Sequence, residues 1–255
     1  MPTQVYILSW PLNNYTLYVA ITVITGCVWA LWRVKSSWQA FSSTFNALLI
    51  GILFAFVWGR VGYALLNLNY FEQHLNEIAS TTSPGIWEQA AIIGGLFGWL
   101  IAGLLRQKTE AIDYIVLATL TGIGASGGCI SAGCAYGREV FWTDGWLWSL
   151  RVDWPDAYLI NNPRLPTQEF MIVWLLVFFI AVMVAQARGW QIARAGRSLL
   201  LWTLLFACGD FILQFTRADV VPSLGLLRLP QWADVTLALT SAVYLTLNLH
   251  KAHVK

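Results

Sequence analysis

The chain has 255 residues, of which 58% are hydrophobic and only 11% are charged. Fifteen residues are tryptophan, and this balance excludes an ordinary soluble domain and indicates an integral membrane protein. The formal net charge of +2 comes from scattered basic residues, which do not form the concentrated basic surface that nucleic acid binds, so we expect no nucleic-acid partner.

Seven apolar stretches approach the length of about 20 residues that an α-helix needs to cross a membrane. They cover residues 15–33, 40–58, 87–105, 112–133, 168–187, 198–215 and 232–249. We therefore predict an all-α integral membrane protein with about seven transmembrane helices. The sequence has no evident internal repeat or low-complexity run, so we treat residues 1–255 as a single transmembrane domain.

The lysines and arginines between these stretches predict the orientation, because basic residues are retained on the cytoplasmic side. Nine of the 15 lie in alternate connections and at the C-terminus: Arg33, Lys35, Arg106, Lys108, Arg188, Arg194, Arg197, Lys251 and Lys255. We predict that these connections are cytoplasmic, with the N-terminus outside and the C-terminus inside.

The connections on the predicted outer side, residues 59–86, 134–167 and 216–231, are longer than the cytoplasmic ones, so we expect function there. One of them contains TDGWLWSLRVDW at 143–154. Tryptophan prefers the headgroup level of a membrane, which predicts an extracytoplasmic interfacial segment along the outer leaflet. A packed loop with anchoring tryptophans is the alternative.

The four cysteines are not arranged as CxxC pairs, so we expect neither a metal site nor a disulfide framework, and no cofactor. Cys129 and Cys134 are five residues apart, which places them about 140° from each other on a regular helix. A thiol-based function would therefore need a broken helix, which the neighbouring glycines Gly127, Gly128 and Gly133 would permit.

Four polar or glycine-rich clusters lie at membrane depth: GRVGYALLN at 59–67, IGGLFG at 93–98, GGCISAGCAYGREV at 127–140 and GDFILQFTRAD at 209–219. Such backbone is tolerated there only in a protein interior or against a cavity. Asp210 and Gln214 are four residues apart, hence on one helix face, with Arg217 on about the same side. An ionisable residue within a span is a functional candidate, although Asp210 could instead pair with Arg60 or Arg138.

These clusters, in this order, resemble the prolipoprotein diacylglyceryl transferases. The segments that carry the resemblance are YTL at 15–17, GRVGYAL at 59–65, IGG at 93–95, SGGCISAGCAYGR at 126–138, LPTQEFM at 165–171, DFILQFTR at 210–217 and LPQW at 229–232. The resemblance extends along nearly the whole chain. It implies a seven-span enzyme of the bacterial inner membrane. Enzymes of this family move a diacylglyceryl group from phosphatidylglycerol to the lipobox cysteine of a prelipoprotein.

Carried onto this sequence, the resemblance implies a set of site residues. The catalytic candidates are Tyr15, Arg138 and Asp210. The candidates for binding a lipid headgroup are Arg60, Gly94, Gly95, Gly133, Gly137, Arg138 and Arg217. The implied partners are a membrane phospholipid, phosphatidylglycerol if the chain is active, and then also a prelipoprotein.

The chain departs from the family at several polar positions. Ile93 stands in place of a histidine, Ser126 and Asp210 in place of arginines, Cys129 in place of an asparagine, and Cys134 and Gln214 in place of glutamates. Transfer from a phospholipid needs cations and donors for the phosphate and a base for the thiol. Three functions therefore remain open: a divergent transferase, a catalytically inactive subunit of a larger membrane protein complex, and a thiol-based protein.

Overall fold

The computed structural model describes residues 4–7, 10–78, 85–107, 110–132, 137–153, 160–190 and 196–253. Seven long helices dominate this part of the chain: α1 (Asn14–Arg33), α2 (Trp38–Leu66), α4 (Glu88–Leu104), α5 (Ala111–Ser131), α6 (Thr167–Ala187), α7 (Gly196–Leu213) and α8 (Leu229–His253). Short elements connect them: hairpin strands β1 (Gln4–Ile7) and β2 (Trp10–Asn13), helix α3 (Leu68–Phe71), 3-10 turns at Leu75–Glu77, Trp142–Leu150 and Gln214–Thr216, and hairpin strands β3 (Ser223–Leu224) and β4 (Leu227–Arg228).

Every predicted apolar stretch coincides with one of the long helices. Within the described residues, five are both long and apolar enough to cross a membrane, namely α1, α2, α5, α6 and α7 with its following turn. Helix α4 is apolar but has 17 residues, and α8 is not among the five. The mostly helical membrane fold is therefore confirmed, whereas seven crossings and their orientation stay predictions.

Helix α2 continues beyond the predicted end at residue 58 to Leu66. The extension is the cluster GRVGYALL, which contains the buried residues Gly59, Arg60 and Gly62. Hydropathy alone ended this span at Trp58 because an arginine follows. In the structure the Arg60 guanidinium is bonded to backbone carbonyls, so the helix can carry this charge inside the protein.

The long helices pack in pairs, α1 against α5, α2 against α4 and α7 against α8. Glycines let the backbones approach closely, as membrane helices require in place of a hydrophobic driving force. Gly94 of α4 faces the carbonyl oxygen of Phe54, and a Cβ on Gly98 would lie 2.9 Å from the Cα of Gly51. A core of side chains joins α5, α6 and α7: Tyr114, Ile115, Met171, Leu175, Val182, Leu199, Trp202 and Phe206.

Two salt bridges join α1 to the start of α5 at the predicted cytoplasmic end. Arg33, the last residue of α1, forms 2.7 Å ion pairs with both Glu110 and Asp113 at the start of α5. These ion pairs account for the presence of two acidic residues, Glu110 just before the fourth predicted span and Asp113 at its start, on a side where basic residues predominate. A polar cavity lies at the opposite end of the bundle.

Candidate functional site

A polar cavity of about 430 Å³ lies among the helix ends on the predicted outer side. The start of α1, the ends of α2, α5 and α7, and the starts of α4, α6 and α8 contribute to its wall. The lining polar residues are Asn13, Tyr15, Tyr63, Asn67, Glu88, Gln89, Ser126, Thr167, Gln168, Asp210, Gln214, Arg217 and Asp219. The volume lies within the range of small-molecule sites in proteins.

A second cavity of about 250 Å³ adjoins the first and lies deeper between the helices. Its wall is mainly apolar, with aliphatic and aromatic side chains of α1, α2, α4, α5, α6 and α7. The two cavities share the lining residues Tyr15, Ile86, Glu88, Ala125 and Met171, which we call the neck. Side by side, the two cavities make up an amphipathic space, polar at the outer end and apolar at membrane depth.

A cluster of acids and amides forms one wall of the polar cavity. Asp210 Oδ2 accepts hydrogen bonds from Gln89 and from Gln214, the latter at 3.0 Å. The expectation that Asp210 and Gln214 share a helix face is thus confirmed. Asp210 is 1% exposed, and its hydrogen bonds come from these amides and not from Arg60 or Arg138.

Two further carboxylates join this cluster, and sequence reasoning missed both. Asp234 of α8 is fully buried beside Asp210 and Gln89, and Glu88 at the start of α4 interacts electrostatically with Asp210. The pattern that made Asp210 a candidate, an ionisable residue inside a predicted span, also applies to Glu88 and Asp234. Residues 88 and 234 are ionisable residues inside the predicted spans 87–105 and 232–249, and such residues are functional candidates.

Arg217 is the basic residue of the described cavity wall. It donates to both carboxylate oxygens of Asp219, from Nε at 2.9 Å and from Nη2 at 3.3 Å. Arg228 also binds Asp219, at 3.1 Å, and donates to the carbonyl oxygen of Gln214. Burial acts to raise the pKa of Asp219, but the charges of Arg217 and Arg228 outweigh it, so the pKa lies below its ordinary value.

The reciprocal effect acts on Arg217. Burial works to lower its pKa, but the charge and hydrogen bonds of Asp219 outweigh burial and raise the pKa. Glu88 and Asp210 add to the same effect, so their carboxylates lie near this guanidinium. Arg217 therefore stays protonated and faces an excess of acids across the cavity.

The predicted site residues fall into several environments. Tyr15, Asp210 and Arg217 line the polar cavity, and Tyr15 also belongs to the neck. Gly95 lines the apolar cavity. Gly94 is buried between α4 and α2, where a Cβ would meet the Phe54 carbonyl oxygen and Trp58.

Arg60 and Arg138 do not line either cavity. Arg60 donates to the carbonyl oxygens of Glu77 at 2.7 Å, Ile78 at 2.8 Å and Gly85 at 3.0 Å, so it ties the following connection to α2. The side chain of Arg138 is exposed, while its backbone nitrogen donates to Thr216. Spacing along the sequence could not show which partners these guanidinium groups would find.

Gly137 is buried against the backbone of Leu165, where a Cβ would meet the carbonyl oxygen. Gly133 and Cys134 lie outside the described residues. Of the other positions at which this chain departs from the family, Ser126 and Cys129 are buried and line the polar cavity, and Gln168 donates to Cys129 Sγ at 3.7 Å. Ile93 is 37% exposed on α4 and lines neither cavity.

The chemistry of this site follows from its shape and its charges. Among the described residues, no three His, Cys, Asp or Glu side chains are arranged to hold a metal ion. The amphipathic space suits a molecule with a polar head and an apolar tail. Arg217 can bind an anionic oxygen, whereas Glu88 and Asp210 can accept hydrogen bonds or a proton.

The chain is similar to proteins of one known family. The family model described as prolipoprotein diacylglyceryl transferase matches residues 2–247. The phosphatidylglycerol–prolipoprotein diacylglyceryl transferase of Clostridioides difficile is 22% identical over 85% of this chain and 83% of its own length. The corresponding protein of Pediococcus pentosaceus is 26% identical over 88% of this chain and 81% of its own length.

A relative from Clostridium perfringens, named phosphatidylglycerol–prolipoprotein diacylglyceryl transferase 2, is 23% identical over 92% of this chain and 90% of its own length. The similarity covers the helices that build both cavities. The chain therefore belongs to the prolipoprotein diacylglyceryl transferase family.

Proposed function

We propose that this protein binds one membrane phospholipid, with the headgroup in the polar cavity and the upper acyl chains entering the apolar cavity. The observation that carries the proposal is that a polar and an apolar cavity adjoin each other and share the five lining residues of the neck. A water-soluble ligand would leave the apolar cavity unfilled. A lipid matches both parts, because its polar and apolar groups are joined in the same order along the molecule.

Arg217 is the residue that we propose to hold the phosphate. It lies on the cavity wall, and its raised pKa keeps it cationic. Its bidentate contact with Asp219 fixes the guanidinium plane, so a phosphate oxygen meets an oriented donor group. Tyr15 lies at the neck, where the glyceryl part of the lipid would sit.

Diacylglyceryl transfer is the reaction that we propose for this site if the chain is active. A thiolate sulfur would bond to the glyceryl carbon that carries the phosphate, and the bond from that carbon to the phosphate oxygen would break. The thiol proton would pass to a carboxylate such as Glu88 or Asp210, and Arg217 would stabilise the leaving phosphate.

Lipid analysis of the purified protein tests the binding proposal. Protein purified in a mild detergent should retain close to one phospholipid per chain, measured by extraction and mass spectrometry. Arg217→Gln should lower this ratio severalfold, since it removes the cation of the described cavity wall. Arg138→Gln is the matched control and should retain the lipid, because its side chain lies outside both cavities. Wild-type protein that is stable and lipid-free would contradict the proposal.

A catalytically inactive subunit of a membrane protein complex is the second candidate. The observation that favours it is the acid excess at Asp210, Glu88 and Asp219, which would repel the phosphate of an anionic lipid such as phosphatidylglycerol. Lipid would then be a structural component, and other membrane proteins would be the partners.

Complementation separates these two functions. An active transferase should restore prelipoprotein lipidation in cells depleted of their own enzyme, and Arg217→Gln should abolish the rescue. An inactive subunit should fail to complement and should copurify with other proteins in fixed stoichiometry. Failure to complement together with isolation as a single chain would contradict both functions and leave lipid binding alone.

A further inference from the structure

The buried polar cluster of the cavity contains acceptors without donors. Among the described residues, Asp210 Oδ1 and Gln214 Oε1 accept no hydrogen bond, and the carboxylate oxygens of Asp234 lie near Gln89 and Asp210 without a hydrogen bond of normal length. Their residues are 1%, 4% and 0% exposed, so bulk water does not satisfy these atoms. A buried polar atom without a hydrogen bond is costly, and a cluster of them indicates a missing partner.

The missing partner must supply hydrogen-bond donors. The unsatisfied atoms of Asp210, Gln214 and Asp234 are all oxygens, and Asp210 and Gln214 line the polar cavity, whereas the unsatisfied atom of Trp87 elsewhere on this wall is the donor Nε1. Glu88 adds another carboxylate to the same wall. A primary ammonium group carries a positive charge and three N–H donors, which is the complement of such a surface.

The charges of the cavity support the same conclusion. Glu88, Asp210 and Asp219 face it, and Arg217 is the basic residue of its described wall. Asp219 is already paired with Arg217 and Arg228, whereas the hydrogen bonds to the Asp210 carboxylate come from the neutral amides of Gln89 and Gln214. A second positive charge from the ligand would balance these acids.

We propose that the cavity selects a phospholipid whose headgroup carries both a phosphate and a primary ammonium group. This inference rests on the proposed lipid binding and specifies its substrate class. The ammonium group lies against Asp210, Gln214 and Glu88, and the phosphate lies against Arg217. The Arg217 guanidinium interacts electrostatically with Glu88 and Asp210, so both halves of a zwitterionic headgroup find partners within one cavity.

The position of Asp210 strengthens the argument. The resemblance to the family places an arginine there, and a cation at this point would suit an anionic headgroup. An aspartate reverses the charge while Arg217 stays, so the site changes from two cations to a cation and an anion. Such a change alters which headgroup is accepted and still leaves a phosphate partner.

The test compares lipids with matched acyl chains on delipidated wild-type protein, by native mass spectrometry. Phosphatidylethanolamine should bind at least about tenfold more tightly than phosphatidylglycerol, the ratio expected from one charge-assisted hydrogen bond. Phosphatidylcholine, which has a positive charge but no N–H donor, should also bind more weakly than phosphatidylethanolamine. These measurements use the unaltered protein and do not depend on the folding of a variant.

Variants then assign the selectivity to the cluster. Asp210→Asn combined with Glu88→Gln should bring phosphatidylethanolamine and phosphatidylglycerol to nearly equal affinity. Glu72→Gln, at an exposed position outside both cavities, should keep the wild-type ratio. Free phosphoethanolamine should bind much more weakly than the lipid, and equal affinity would overturn the assignment to a lipid.

The outcomes separate this inference from the proposed function. Tighter binding of phosphatidylglycerol, or equal binding of phosphatidylcholine, would overturn the ammonium site and leave lipid binding intact. The absence of binding by any phospholipid would overturn both.

Discussion

Gln89 of α4 and Gln214 beyond α7 both donate hydrogen bonds to the same oxygen of Asp210. Their amide groups leave Oδ1 of Asp210 and Oε1 of Gln214 without a donor among the described residues. The carboxylate thus links α4 to the end of α7 through one oxygen, while its other oxygen accepts no hydrogen bond from a described residue. This division of roles makes Asp210 both a packing residue and a ligand-binding candidate.

Substitutions of Asp210 should separate these two roles. Asp210→Ala removes the acceptor of two buried amides and should lower the free energy of unfolding by about 1 to 3 kcal/mol. Asp210→Asn keeps an acceptor oxygen and can donate to Gln214 Oε1, so we expect a change below about 1 kcal/mol. Thermal unfolding in detergent measures both. Equal destabilisation by the two variants would show that the charge, and not the hydrogen bonds, stabilises this contact.

The Asp219 network should make stability depend on pH. The folded-state pKa of Asp219 is depressed, so its contribution is fully present above the unfolded pKa of an aspartate. It is lost as the pH falls from that value through the lower folded-state pKa. We expect the unfolding temperature of the wild type to decrease as the pH is lowered below about 4, because the unfolded carboxyl begins to bind a proton there.

Asp219→Asn is the variant that isolates this effect. At neutral pH it should lose about 2 kcal/mol, since two charge-assisted contacts to Arg217 and Arg228 become neutral ones. The stability difference between variant and wild type should shrink below pH 4, where both lack the charge. A constant difference across the whole pH range would assign the loss to packing.

Gly94 should tolerate no side chain, because α2 and α4 touch there. A Cβ at this position meets the backbone of Phe54 and the side chain of Trp58. Gly94→Ala should cost about 1 to 3 kcal/mol as the helices separate. Gly103→Ala is the matched control on the same helix, since a Cβ there meets nothing within 4 Å. Thermal unfolding should show a loss for the first variant and no loss, or a small gain from helix propensity, for the second. Comparable losses would contradict the close helix contact at Gly94.

Arg60 should act through the connection that follows α2. Its guanidinium holds the carbonyl oxygens of Glu77, Ile78 and Gly85. Arg60→Lys replaces the planar guanidinium, with its several N–H donors, by a single ammonium group. This change should speed hydrogen exchange in residues 75–78 and should change the preference among lipids little. A loss of lipid with unchanged exchange would instead support the headgroup role that the sequence predicts for Arg60.

The sequence predicted the helices well because hydropathy registers long apolar runs directly. It also placed Asp210 and Gln214 on one helix face, since a spacing of four residues is a local geometric fact. The composition of the cavity wall could not be predicted in this way, because it depends on tertiary packing. Glu88, Asp210 and Asp234 belong to three helices, and only their packing brings the carboxylates together. The partners of Arg60 could not be predicted for a related reason, because its carbonyl acceptors lie in a connection whose path no local pattern predicts.

The neck between the two cavities has a mechanical consequence for the bundle. Tyr15, Ile86, Glu88, Ala125 and Met171 come from four helices and the connection before α4. A lipid bound against the neck would contact, and so stabilise, segments that lie far apart in the chain. Occupancy and folding are then linked, so saturating amounts of the preferred lipid should raise the unfolding temperature, by an amount that grows with its affinity.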